Sequence, residues 1–299
     1  MAETAEAWGG VFAPLTTPFS EDGRPDLDGL RRNVQGYGAA PLAGYVVLGT
    51  NGEFPHLDAA ERAEVVAAVL EASGDRPVLV QVGGASRGEA MELARRAAAL
   101  GARAALLVTP YYYRRQMTDA TLAGFFEDFA AECPLPLLVY NIPQNTGINV
   151  SPALAAQLAE NPRIVGMKDS SGNLAQLAEC AARTPPGWGL LNGSGSLLTA
   201  ACSAGVPGAV LALADVLPFE VCDIWALCRQ GRWTEALAAE ARLRPVFRQL
   251  SRLGVAGTKL GMDLLGYRGG DPRPPLLPVP PADRDILVDE LRTAGLVRF

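Results

Sequence analysis

The chain has 299 residues, 49% of them apolar, and a net charge of −6. That is enough apolar matter for one large α/β barrel or two ordinary domains. The acidic balance argues against nucleic acid and anionic membranes as partners, no run approaches the roughly 18 apolar residues that span a bilayer, and a single histidine, His56, excludes a histidine-rich zinc site.

From Met1 to Gly10 there is no basic region followed by an apolar run, so no secretory signal is expected. Short runs rich in Val, Leu and Ile then alternate with amphipathic stretches. The expected strands are 11–17, 44–50, 77–83, 104–110, 136–142, 163–168, 188–192 and 208–213. The expected helices are 26–40, 58–73, 87–100, 119–132, 152–160, 173–183, 196–204 and 217–230. Asp58-Ala59-Ala60-Glu61 reads as a capped helix start, and so does Ser151-Pro152, with proline in the first turn. The strand runs are apolar throughout instead of alternating, as expected for parallel strands covered on both faces. Eight βα units over 1–231 point to a (β/α)8 TIM barrel as the catalytic domain. A doubly wound open sheet is the structural rival. It favours a G-x-G-x-x-G turn after the first strand, and here Thr16-Thr17-Pro18-Phe19 follows instead. Residues 232–299 are expected to form a helical region packed on the barrel. Trp233 to Leu253 and Asp283 to Leu296 read as helical, Gly254 to Gly270 as partly so, and Pro272 to Pro281 as an ordered linker. Five cysteines (Cys133, Cys180, Cys202, Cys222 and Cys228) lack C-x-x-C spacing. They read as buried thiols of a cytoplasmic protein.

In a barrel of this kind the site forms at the C-terminal ends of the strands. One such end carries Lys168. Of 26 basic residues only Lys168 and Lys259 are lysines. A guanidinium stays protonated, whereas an amine freed of its proton by apolar surroundings attacks carbonyl carbon. The plainer reading of Lys168 is an ion pair with a carboxylate such as Asp169. One βα unit upstream, Tyr140 ends another strand and offers a phenol for proton transfer. Gly49-Thr50-Asn51-Gly52-Glu53-Phe54 gathers backbone N–H groups, a hydroxyl and an amide at a third strand end. That suits a carboxylate, a phosphate or a mere tight turn. Tyr111, Tyr112 and Tyr113 read equally as a hydroxyl relay or as aromatic filler at a subunit contact. His56 reads as a surface or capping residue. Ser194 has no histidine near it in sequence and is a poor nucleophile.

Taken together, four motifs in order resemble the dihydrodipicolinate synthase/N-acetylneuraminate lyase family of class I aldolases. They are Gly49-Thr50-Asn51-Gly52-Glu53, Thr109-Pro110-Tyr111-Tyr112, Tyr140-Asn141-Ile142-Pro143 and Gly166-Met167-Lys168-Asp169. The resemblance covers essentially the whole chain. It implies a barrel with C-terminal helices, assembled as a homotetramer, a dimer of dimers. It implies that Lys168 forms a Schiff base with pyruvate or another 2-oxo acid, with Tyr140 as acid and base. Thr50 and Tyr112 are then expected to complete a hydroxyl relay, Tyr112 from a neighbouring subunit. Thr50 and Asn51 are expected to hold the carboxylate, and Ser170, Gly193 and Val210 to line the pocket. No metal or cofactor is implied, and the partners are small 2-oxo acids and aldehydes.

The chain departs from the synthases at one point. Where they carry an arginine for the carboxylate of aspartate semialdehyde, Asn145 stands here, with Arg114 as a candidate replacement. An amide lacks the charged, bidentate fork of arginine. Gly52-Glu53-Phe54-Pro55, Tyr112-Tyr113-Arg114, Asn145-Thr146-Gly147 and Gly166-Met167-Lys168-Asp169-Ser170 look more like 4-hydroxy-2-oxoglutarate aldolases. The expectation is therefore cleavage of a 4-hydroxy-2-oxo acid to pyruvate or glyoxylate. The alternatives are the synthase reaction itself and a non-catalytic barrel that binds a 2-oxo acid.

Overall fold

The computed structural model describes residues 8–84 and 86–297. Residues 1–7 of the segment read for a leader, and residues 298–299 of the C-terminal region, lie outside them. Each of the eight apolar runs forms a strand: β1 (Gly10–Pro14), β2 (Gly44–Val47), β3 (Val78–Gln81), β4 (Ala104–Val108), β5 (Leu137–Asn141), β6 (Ile164–Asp169), β7 (Gly189–Asn192) and β8 (Gly208–Val210). They pair in chain order, and β8 closes on β1. The pairings are parallel throughout. This is a (β/α)8 barrel. Every residue of β4 and β5 is buried, because side chains on one face fill the barrel and those on the other meet helices.

Six of the strands stop up to three residues short of their apolar run. At the end of β2, Leu48 turns into the left-handed region with φ 60°, a conformation that an apolar pattern does not announce. The chain there leaves the barrel strand and enters the loop that leads to the helix Ala59–Ala72.

The crossover helices are α1 (Leu27–Gly36), α2 (Ala59–Ala72), α3 (Arg87–Ala99) and α4 (Asp119–Glu132). After β5 come a single turn, α5 (Pro143–Thr146), and then α6 (Pro152–Leu158). The series continues with α7 (Leu174–Arg183), α8 (Leu198–Ser203), a second single turn, α9 (Leu213–Val216), and α10 (Pro218–Arg229). Both expected helix starts are present. Asp58 and Glu61 form a complete capping box on α2, and the Ser151 side chain caps α6. The turns α5 and α9 were expected as loop and strand end. Single turns lack the length that makes a 3.6-residue period visible.

Two further helices follow, α11 (Trp233–Leu264) and α12 (Pro281–Thr293). α11 breaks at Gly254, where φ 61° and ψ −138° suit glycine alone. That break is where the sequence pattern changes from helical to partly helical. α11 packs on α8, α9 and α10, so its N-terminal half borders the mouth of the barrel. All five cysteines are free and buried. Among the described residues, no helix is long and apolar enough to cross a membrane.

Candidate active site

Tyr140 on β5 and Lys168 on β6 are register partners, so their side chains leave the sheet on the same face. Both are buried. The Lys168 Nζ lies 4.2 Å from the centre of the Tyr140 ring. The Tyr140 hydroxyl in turn meets Thr50 Oγ1 at 3.1 Å, from the loop after β2. An amine, a phenol and a threonine hydroxyl thus stand in sequence at the barrel mouth.

The plainer reading of Lys168 fails on geometry. Asp169 follows Lys168 on the strand and points to the opposite face. Its carboxylate accepts hydrogen bonds from Asn141 Nδ2 at 3.1 Å, the Ser171 N–H at 2.8 Å and Gln176 Nε2 at 3.0 Å. It is satisfied without the lysine.

Above Lys168 opens a cavity of about 110 Å³, enough for a molecule of a few heavy atoms. Thr50, Asn51, Ser170, Gly193 and Val210 all line it. Gly193 is there for space: a Cβ on it would lie 2.0 Å from Ser170 Oγ. Three expected residues are not brought to this cavity. Tyr112 is 83% exposed and stacks edge-on against Tyr113. Arg114 lies against Gly147 instead. Gln144 and Asn145 are both exposed, and of the two Gln144 lines the cavity. The reason is α5: successive residues of a helical turn point about 100° apart, so only one of the pair reaches the cavity wall. The Gln144 amide is fixed by donating to the Ser170 carbonyl at 3.0 Å.

Two supporting groups were not read from the sequence. Asp215, in α9, is fully buried, and its Oδ2 lies 3.5 Å from Asn51 Nδ2. Burial pushes its carboxyl well above the usual carboxylate range, against the smaller opposing effects of Asn51 and the Lys168 charge. The other is an ion pair beneath the 49–54 loop. Lys259 Nζ lies 2.6 Å from Glu53 Oε1, with both side chains fully buried. Glu53 itself has φ 53°. Its second oxygen accepts from the Arg273 backbone N–H at 2.8 Å. Lys259 also donates to the Asp271 carbonyl at 3.1 Å. A strained residue in the loop after β2 is therefore held by α11 and the segment that follows it. Lys259→Met leaves the Glu53 carboxylate buried and unpaired, at an expected cost of about 3–5 kcal/mol. The double change Lys259→Met with Glu53→Gln should recover much of that. Denaturant midpoints of the three proteins check it, and a single variant as stable as the parent refutes it.

Residues 7–294 match the dihydrodipicolinate synthetase family. The chain belongs to this family. Among curated relatives, a 4-hydroxy-tetrahydrodipicolinate synthase of Methanothrix thermoacetophila is 35% identical over 90% of this chain and 91% of its own. Another, from Haloarcula marismortui, is 34% identical over 97% of this chain and 95% of its own. Among solved structures, a dihydrodipicolinate synthase of Cyanidioschyzon merolae with lysine bound superposes with a TM-score of 0.92 at 29% identity, covering 97% of this chain and 99% of that one. YagE, a prophage protein of the same family from E. coli K12 in complex with pyruvate, gives 0.91 at 27% identity with the same coverage. The chain is an enzyme of the family's lysine Schiff-base lyase class. The names of these relatives favour the synthase alternative over the expected cleavage of 4-hydroxy-2-oxoglutarate.

Proposed function

We propose that this protein is a cytoplasmic aldolase that activates pyruvate on Lys168 and joins it to an aldehyde, or runs the same chemistry backwards. The pairing of Lys168 with Tyr140, and of Tyr140 with Thr50, carries this reading. The Lys168 amine adds to the ketone carbon, and water leaves to form the protonated imine. The imine draws electrons from the adjacent carbon, which loses a proton and becomes an enamine. The enamine attacks the aldehyde carbon; in reverse, the same bond breaks and releases the aldehyde. Water then returns the 2-oxo acid and the free amine. A phenol is a poor base in water, so the hydroxyl chain through Thr50 supplies the route by which Tyr140 moves protons beside the iminium cation. Asn51, Ser170 and Gly193 surround the 2-oxo acid. Tyr112 extends the relay from a second subunit of a homotetramer; its exposure leaves the ring free for such a contact. In this reading residues 1–231 form the catalytic unit and 232–299 brace it. A barrel that only binds a 2-oxo acid has no use for a nucleophile and a phenol in register.

Two acceptor readings follow. The relatives support condensation with aspartate semialdehyde, as in 4-hydroxy-tetrahydrodipicolinate synthase, and that reading comes first. Asn145, which stands where the synthases carry an arginine, supports the second, cleavage of 4-hydroxy-2-oxoglutarate. Pyruvate with borohydride should leave one reduced adduct per chain, mapped by mass spectrometry to Lys168. A label on Lys259, or none, removes the mechanism. The kcat/KM values for both reactions on one preparation then rank the acceptors. A tenfold margin either way, about 1.4 kcal/mol in transition-state binding, decides between them.

A further inference from the structure

Outside the small cavity lies a larger one of about 680 Å³. The two share Asn51, Gln144, Ser170, Gly193 and Ala212 in their walls, so they form one continuous space running outward from Lys168. The far wall is α11. It presents Arg244, Arg248 and Arg252 at four-residue intervals, hence on one helix face. Phe247 and Leu250 add an apolar floor between them.

These three guanidiniums are not equivalent. Arg252 is engaged, with Nη2 2.6 Å from Asp283 Oδ1 on α12. Just before the helix, Arg232 is likewise paired with Glu235. Arg244 and Arg248 make no ion pair among the described residues, in a chain whose acidic residues outnumber its basic ones by 32 to 26. Two like charges one turn apart repel each other unless an anion lies between them. Glu240, one turn before Arg244, lines the same wall, and its Oε2 accepts from the Thr199 N–H at 3.3 Å. The two unpaired guanidiniums and this carboxylate leave one net positive charge. That matches a single carboxylate better than a dianionic phosphate.

We propose that Arg244 and Arg248 form the subsite for a carboxylate at the far end of the aldehyde. The subsite rests on the Schiff-base reading of Lys168 and deepens it. Specificity for an acidic aldehyde then comes from the C-terminal helix, on the side of the mouth where β7 and β8 end, and not from the loop after β5. The guanidinium forks hold the distal carboxylate while the aldehyde carbon reaches the enamine on Lys168. The break at Gly254 lets the N-terminal half of α11 lean over this space while Lys259, beyond the break, is anchored under the substrate loop.

The test compares succinic semialdehyde with butanal, two four-carbon aldehydes that differ in the distal carboxylate. The readout is the ratio of their kcat/KM values at saturating pyruvate. Wild type should favour succinic semialdehyde by about 10- to 100-fold, the worth of one charge-assisted contact. In Arg244→Gln with Arg248→Gln the ratio should fall by about that factor, chiefly through KM for the acid. Arg248→Lys, which keeps the charge and loses the fork, should fall between the two. Equal handling of the two aldehydes by wild type, including consumption of neither, overturns the subsite. So does an unchanged ratio in the double variant. Failure of wild type to trap pyruvate at Lys168 overturns the Schiff-base reading, and the subsite with it.

Discussion

Lys168→Arg should abolish turnover, by a factor on the order of 10⁶ if the loss matches that of other covalent nucleophiles. The substitution is chosen to keep everything but the chemistry. Arginine preserves the positive charge and can stack on the Tyr140 ring that the Lys168 Nζ now faces at 4.2 Å. Its guanidinium stays protonated, so it has no free amine to add to a ketone. The carboxylate nearest in sequence, Asp169, is satisfied by Asn141, Ser171 and Gln176, so no ion pair with it is lost. The variant should therefore melt close to wild type, fail to trap pyruvate with borohydride and show no measurable aldol reaction. Substantial remaining turnover would place the nucleophile elsewhere. Lys259 is a poor second choice, because its ammonium is fully buried against Glu53.

Tyr140→Phe should cost roughly 10²–10⁴ in kcat, the usual worth of a positioned acid or base. The change removes one oxygen from a ring that is 2% exposed, and that oxygen's hydrogen-bond partner is Thr50. The ring and its contact with Lys168 remain, so KM for pyruvate should move far less than kcat. Thr50→Val, which breaks the same chain one step later, should lose less. Stopped-flow rates of imine formation separate the steps. If Tyr140→Phe forms the imine and turns over as fast as wild type, the proton takes another path.

The fold was legible because parallel strands buried on both faces leave long apolar runs, and eight of them separated by amphipathic stretches admit few arrangements. Lys168 and Tyr140 were legible for a related reason. A strand end is easy to locate, and a polar residue there faces the mouth of the barrel. The misplacements fall where direction matters more than position. Asn145 and Gln144 are neighbours in sequence, and on a single helical turn only Gln144 reaches the cavity wall. Arg114 had the right charge, yet its chain lies over Gly147.

From the sequence alone came the barrel, the order of its strands and the lysine, tyrosine and threonine that meet at its mouth, because local pattern and strand-end position are short-range properties. Only the tertiary structure revealed the Glu53–Lys259 pair, the Asp215 carboxyl behind Asn51 and the packing of α11 that sets Arg244 and Arg248 in one cavity wall with Gly193 and Ala212. Each joins residues far apart in the chain, 206 positions for Glu53 and Lys259. Burial and charge pairing across such distances depend on how barrel and helices close on one another, and no residue spacing carries that information.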